Sequence, residues 1–442
     1  MASDWKEEYQ RKTVSAEKAV KVIKSGDRVS FTHGREPLNT ALAMAARKNE
    51  LKNVKVFMRT PTVDFGWYHE NWTDHFQLEI SYVRPIARDI MAQRRCDFVP
   101  GGLIGITPQN PQVGEVDVLI IELSPPDEQG FCSFGSSVWG KKKAVQCAKT
   151  VIAEINKSFI RTFGDNSIHI SEIDYFVEHI STTRYGSEGN QLGRKRKEPG
   201  IVEKRIAEYV GSLIEDGDTL QIGVGGASDS VALNGILNNK IDLGWHSETT
   251  PPGVIKLVRE GVITGNRKKC NTGKFIAIAL DGGTEEEMKF VDGNPMFELY
   301  DADYILDPRV ISANDKFVGI NSAVSVDLTG QIDAESIGPV IMSGPGGQLT
   351  FAVGAQLSKG GRFITTLPST AGHGKVSRIV PEFPEGSMVT VPRTLSDIVV
   401  SEYGIARLRG KTHRERALEL IAIAHPDFRE ELKRKAEAMF WP

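Results

Sequence analysis

Gly26-Asp27-Arg28-Val29-Ser30-Phe31-Thr32-His33-Gly34 recurs in type as Gly217-Asp218-Thr219-Leu220-Gln221-Ile222-Gly223-Val224-Gly225. In each copy a helix ends at a Gly-Asp turn, a short apolar strand follows, and a Gly-containing loop leads into a new helix. The register holds onward, with Thr40-Ala41-Leu42 facing Val231-Ala232-Leu233 at the same offset of 191 residues. Any α/β chain can reuse such a unit, but a repeat at constant offset in a chain of 442 residues favours two similar α/β domains. Between the copies, Asp117–Leu123 and Lys149–Glu154 read as buried strands, with a helix expected over Ser137–Ala148. Strand–helix–strand alternation predicts two open α/β domains with mainly parallel sheets. The polar stretch Ser187–Gly200 places the boundary, giving domains of 1–195 and 196–442. Thr412–Ile423 and Pro426–Met439 read as two closing surface helices.

Composition narrows the function. With 54 Lys+Arg against 57 Asp+Glu the net charge is −3, which provides no field for wrapping nucleic acid. The cluster Arg194-Lys195-Arg196-Lys197 reads as a solvated loop. The charged amino terminus lacks a signal-peptide core, and no apolar run approaches the length of a membrane helix. Cys96, Cys132, Cys147 and Cys270 are scattered, as expected of free thiols in a reducing cytoplasm.

Two nucleotide-binding look-alikes fail on spacing. Gly404 to Gly410-Lys411-Thr412 has five residues between the glycines where a phosphate cradle needs four. Gly223-Val224-Gly225-Gly226-Ala227-Ser228 lacks the third glycine of a dinucleotide fingerprint in register. Such a loop still presents backbone N–H groups at a helix start, suited to a phosphate or a developing oxyanion. Ser343-Gly344-Pro345-Gly346-Gly347-Gln348 offers the same; either loop could equally be a tight turn. Gly-x-Ser-x-Gly is absent and the nine histidines show no metal-ligand spacing, so carboxylates remain as candidate nucleophiles. Glu248, in Asp242-Leu243-Gly244-Trp245-His246-Ser247-Glu248-Thr249-Thr250-Pro251-Pro252-Gly253, falls where a strand would end. That is the loop edge where α/β ligand sites form, although surface acids also sit there.

Gln221-Ile-Gly-Val-Gly-Gly followed by Leu243-Gly-Trp-His-Ser-Glu248 resembles the acetyl-CoA hydrolase/transferase family, the class I CoA-transferases. Further matching segments follow in order, including Ser124–Gly130, Asn321-Ser-Ala, Gly344–Gln348, Ser401–Ala406 and Ile423–Arg429. The resemblance implies that Glu248 attacks an acyl-CoA thioester, forming an acyl-glutamyl anhydride and then a glutamyl-CoA thioester in a ping-pong cycle. It implies oxyanion donors at the backbone of Val224, Gly225 and Gly347, and contact of coenzyme A with Gly344, Gly346, Gly347, Lys375 and Arg378. It implies no permanently bound cofactor or metal, coenzyme A thioester as substrate, and a homodimer or higher homo-oligomer. Thr249, Thr250 and Leu306 depart from the family pattern and are expected to shape the acyl pocket, which could admit a bulkier acid. Acyl-CoA hydrolysis and a non-catalytic CoA-binding regulatory role are the alternatives.

Overall fold

The computed structural model describes residues 5–34, 36–100, 115–179, 198–280 and 282–441. The chain forms two compact units, Met1–Arg194 with Ile278–Asp303, and Lys195–Ala277 with Tyr304–Pro442. The expected cut at 195/196, with its basic cluster, lies outside the described residues; a single cut does not include the return of Ile278–Asp303 to the first unit.

Unit 1 is built on β1 (Arg28–Phe31), β2 (Val54–Met58), β3 (Phe76–Ile80), β4 (Cys96–Phe98), β5 (Val116–Leu123), β6 (Ala148–Ile155) and β7 (Tyr175–Glu178). They form one sheet in the order β7-β6-β5-β1-β2-β3-β4. Every neighbouring pair is parallel. Parallel strands covered on both faces read as continuous apolar runs, which is why β5 and β6 are legible in the sequence. Leu119, Ile121, Leu123, Val151, Ala153, Ile155 and Phe176 from β5–β7 pack into one buried cluster. The helix between β5 and β6 is shorter than expected, Lys141–Cys147. It starts only after Gly140, whose φ of 70° is left-handed and breaks the helical path.

Unit 2 repeats the plan. Its strands are β8 (Thr219–Ile222), β9 (Gly244–Ser247), β10 (Phe275–Ala277), β11 (Phe317–Ser322), β12 (Arg362–Thr366), β13 (Ile398–Ser401) and β14 (Gly404–Arg407). They run in the order β14-β13-β12-β11-β8-β9-β10. All pairings recorded among them are parallel except β13 with β14. The Gly404–Thr412 look-alike is therefore an edge hairpin strand and a turn, not a phosphate loop. Trp245 stacks on Phe275 with ring centroids 5.6 Å apart, and Phe317 on Phe351 at 6.1 Å, filling the space beside the sheet. The closing helices are His413–Ala422, capped by a reciprocal Thr412–Glu415 box, and Pro426–Phe440.

The sequence repeat has a topological meaning. β1 and β8 are the strands at which the strand order reverses, between β5 and β2 in one unit and between β11 and β9 in the other. Each feeds a helix, Leu38–Ala46 or Gly226–Leu233. A crevice opens at such reversals because consecutive crossovers leave for opposite faces, so the carboxyl ends of these strands are where ligands bind.

Candidate active site

Within unit 2, β9 is buried at all four residues and releases the chain at Glu248. The strand therefore fixes the backbone of the carboxylate while its side chain, only partly exposed, extends past the sheet. Gly347 donates its N–H to Glu248 Oε2 at 2.8 Å. Gly347 is also the N-cap of the helix Gln348–Leu357, so the carboxylate sits against the positive end of that helix. Burial outweighs this hydrogen bond and pushes the Glu248 carboxyl from near 4.5 up to about 7.

Close approach explains the glycine. A Cβ at Gly347 would lie 2.5 Å from Glu248 Oε2, 2.5 Å from Leu306 Cδ2 and 3.1 Å from Phe351. One at Gly346, whose φ is +53°, would lie 3.5 Å from Glu248 Oε1. The structure thus brings together Glu248, Gly346, Gly347 and Leu306. Leu306 is fully buried, and His246 anchors its neighbour by a 2.8 Å bond to the Ile305 carbonyl. Burial drives the His246 imidazole down to about 3, so it is neutral and its Nε2 carries the proton given to that carbonyl.

The other glycine loop leaves the neighbouring strand β8. The Thr249 hydroxyl donates to the Ile222 carbonyl at 3.3 Å, tying the chain after Glu248 to the start of that loop. Gly225 caps the helix Gly226–Leu233 at φ 155°, and its Cβ would fall 2.3 Å from Ser322 Oγ. Val224 is exposed, with its side chain outward. Thr250 is buried and its hydroxyl has no hydrogen-bond partner among the described residues. Gly344 is buried in the loop before Gly346. Lys375 stands exposed in the hairpin joining Thr370–Ala371 to Val376–Ser377. Arg378 is half-buried, with Glu402 as its facing charge, and burial lowers its guanidinium from the ordinary value. No hydrogen bond or ion pair joins Lys375 or Arg378 to the Glu248 group among the described residues.

One feature of this crevice was not singled out for chemistry from the sequence. Gln221 of β8 and Asn321 of β11 exchange amide hydrogen bonds of 3.2 and 2.8 Å across the reversal. Ser322 next to it donates to Ser228 Oγ at 3.1 Å, and Ser228 donates to the Gly223 carbonyl at 2.8 Å. Both Gln221 and Asn321 lie in matching motifs, but pairing residues 100 apart needs the strand order. Among the described residues no group of three His, Cys, Asp or Glu could hold a metal ion, and no helix is long and apolar enough to cross a membrane. All four cysteines are free.

Residues 2–183 match the family model of the acetyl-CoA hydrolase/transferase N-terminal domain, and 283–436 that of its C-terminal domain. The chain is 43% identical to the 4-hydroxybutyrate coenzyme A transferase of Clostridium kluyveri, covering 99% of this chain and 100% of that one. It is 36% identical to the succinyl-CoA:cyclohexane-1-carboxylate CoA transferase of Geobacter metallireducens, covering 98% and 97%. Among solved structures, RipA from Yersinia pestis superposes with a TM-score of 0.89 at 30% identity, covering 99% of both chains. The 4-hydroxybutyrate CoA-transferase of Porphyromonas gingivalis gives a TM-score of 0.78 at 34% identity, covering 99% of this chain and all of that one. With full-length relatives at this identity and two domain models in order, the chain belongs to the acetyl-CoA hydrolase/transferase family.

Proposed function

We propose that the protein is an acyl-CoA:carboxylate CoA-transferase in which Glu248 is the covalent nucleophile. The observation that carries this is the Glu248 carboxylate at a strand end, held at 2.8 Å on the Gly347 N–H. Ionised Glu248 attacks the thioester carbonyl, the C–S bond breaks, and coenzyme A leaves as thiolate from an acyl-glutamyl anhydride. The thiolate then attacks the glutamyl carbonyl, releasing the first acid as its carboxylate and leaving a glutamyl-CoA thioester. A second carboxylate attacks that thioester and the thiolate returns to the new acyl group, so Glu248 leaves unchanged and no net proton moves.

The geometry suits the glutamyl half of this cycle. When the glutamyl carbonyl becomes tetrahedral, its oxygen takes negative charge where Gly347 already donates, within the 2.7–3.1 Å range of effective oxyanion donors. The backbone of Val224 and Gly225 is assigned to the oxyanion of the acyl half. Leu306 walls the acyl side, with Thr249 and Thr250 shaping its floor, and the Gly344–Gly347 loop, Lys375 and Arg378 take coenzyme A. Exclusion of water preserves the thioester energy through the anhydride. The relatives' names point to short carboxylates such as 4-hydroxybutyrate as partners. A cytoplasmic homo-oligomer with no permanently bound cofactor completes the reading.

The test is free-thiol release from acyl-CoA with and without added acetate. Transfer requires acetyl-CoA to form without net thiol; thiol release independent of acetate would establish hydrolysis instead. Glu248→Gln is expected to abolish exchange, and borohydride after acyl-CoA to inactivate the wild type by reducing the glutamyl thioester. Exchange that survives Glu248→Gln excludes this nucleophile, and loss of both exchange and hydrolysis from wild type leaves only CoA binding.

A further inference from the structure

In unit 2 the loop that leaves β8 for the helix Gly226–Leu233 has its first backbone groups committed one after another. The Ile222 carbonyl accepts from the Thr249 hydroxyl at 3.3 Å, on the β9 side. The Gly223 N–H donates to the Ile320 carbonyl of β11 at 2.8 Å. The Gly223 carbonyl accepts from Ser228 Oγ at 2.8 Å, and the same hydroxyl reaches the Gly225 carbonyl at 3.2 Å. The next group along the chain, the Val224 N–H, has no hydrogen-bond partner among the described residues. It belongs to an exposed residue at the carboxyl end of a reversal strand, where a ligand can reach it.

Peptide planarity turns these bonds into a direction. A trans peptide points the C=O of one residue and the N–H of the next opposite ways. Ser228 is fully buried in the first turn of its helix. Drawing the Gly223 carbonyl down to it therefore turns the Val224 N–H outward. A serine in a helix ordinarily bonds back three or four residues, whereas the shortest bond of Ser228 reaches back five, out of the helix and into the loop. Ser322 at the end of β11 donates to Ser228 Oγ at 3.1 Å, which leaves the Ser228 proton for the loop carbonyls. Close packing leaves the loop little other room. A Cβ at Gly225 would lie 2.3 Å from Ser322 Oγ, and one at Gly223 2.3 Å from Asn321 Oδ1.

We infer that Ser228, backed by Ser322, is a positioning residue that aims the Val224 N–H at the oxyanion of the acyl half. The inference rests on the function proposed above, which assigns the Val224 backbone to that oxyanion. The Ser228 hydroxyl touches no substrate. It fixes one peptide plane before charge develops on the thioester oxygen, and a donor fixed in advance has no reorganisation to undergo in the transition state.

The test is acyl-CoA thioester turnover by the full chain, followed by thioester absorbance with acetate present, alongside thermal melts. Ser228→Ala should lower kcat at least about tenfold and leave the KM for acyl-CoA within about twofold, because an aimed donor matters only once the oxyanion forms. Ser322→Ala should lower kcat by less. The double variant should be no slower than Ser228→Ala alone, since Ser322 acts through Ser228. Ser230→Ala is the control: this buried serine of the same helix bonds the Glu203 and Ala227 carbonyls at 3.1 and 2.6 Å, and its loss should leave kcat unchanged. An unchanged kcat in Ser228→Ala, an equal loss in Ser230→Ala, a loss carried by KM, or additive losses in the double variant overturns the inference. If Ser228→Ala does not fold, Ser322→Ala decides: a lower kcat at unchanged KM supports the relay and an unchanged kcat overturns it. Glu248→Gln, run in parallel, separates the two readings. Turnover that survives it removes the nucleophile, yet the Ser228 effect still stands, because a tetrahedral oxyanion forms whichever group attacks the thioester. Absence of thioester turnover in the wild type overturns both.

Discussion

Gly347→Ala isolates the Glu248 contact without removing a functional group. The backbone at Gly347, φ −92° and ψ 6°, is open to alanine, and the N–H is retained. The added methyl is the whole perturbation. It would stand 2.5 Å from Glu248 Oε2, and 2.5 Å from Leu306 on another side. Leu306 is buried and its neighbour is anchored by His246, so the partly exposed carboxylate is the group that gives way. Restoring ordinary contact moves it by about 1 Å, which takes a 2.8 Å hydrogen bond beyond useful length. Losing one such donor costs about 2.7–4 kcal/mol of transition-state stabilisation, or roughly 10²–10³-fold in kcat. The hydrogen bond is also what restrains the Glu248 carboxyl, already pushed up to about 7, from rising further, so its loss should move the acid limb of kcat/KM to higher pH than in the wild type. The assay is acyl exchange across pH, with a thermal melt to confirm folding, since overpacking itself costs about 1–3 kcal/mol. A folded variant with near-wild-type kcat, or an acid limb that stays put or moves down, refutes the coupling between Gly347 and the nucleophile.

Two further outcomes follow from burial. The Glu248 carboxyl is raised from near 4.5 to about 7 in the folded protein, so below 4.5 both states hold the proton and stability is unaffected. As pH rises from 4.5 to 7 the unfolded chain loses its proton first, and the fold is destabilised by up to about 3 kcal/mol. Glu248→Gln should therefore be more stable than wild type in urea melts at pH 8, with the difference shrinking toward pH 5; a pH-independent difference contradicts the burial of this carboxyl. Thr250→Val removes a buried hydroxyl that has no partner among the described residues, so stability should hold or rise by about 1 kcal/mol. A loss of more than that in chemical denaturation would mean the hydroxyl is used.

Much of the plan was legible because parallel strands buried on both faces leave a continuous apolar signature. Asp117–Leu123 and Lys149–Glu154 fall inside β5 and β6, and the Gly26 and Gly217 copies mark the reversal strands of both units. Element starts were less legible: the helix expected from Ser137 begins at Lys141, because the left-handed Trp139 and Gly140 interrupt it. The strand-end position made Glu248 one candidate carboxylate, and the resemblance to the CoA-transferase family singled it out. Nothing local in its segment names Gly347 as its hydrogen-bond donor, 99 residues away, or Leu306 as the side chain packed beside Gly347.

The sequence by itself determined the α/β class, the repeat, the family and the candidate nucleophile, since these rest on local periodicity and motifs. Tertiary structure alone decided which loops meet. The order β11-β8-β9 sets Gln221 against Asn321 and ties Thr249 to the end of β8, and Gly347 reaches Glu248 through the packing of its helix. Strand order also pairs β1 with β2, which brings together the loops that follow them, tied by the Gly34 N–H to Thr60 Oγ1. The physical reason is that burial pattern is written every two or four residues along the chain. Which buried groups become neighbours depends on contacts between segments far apart in it, and those exist only after the sheets have formed.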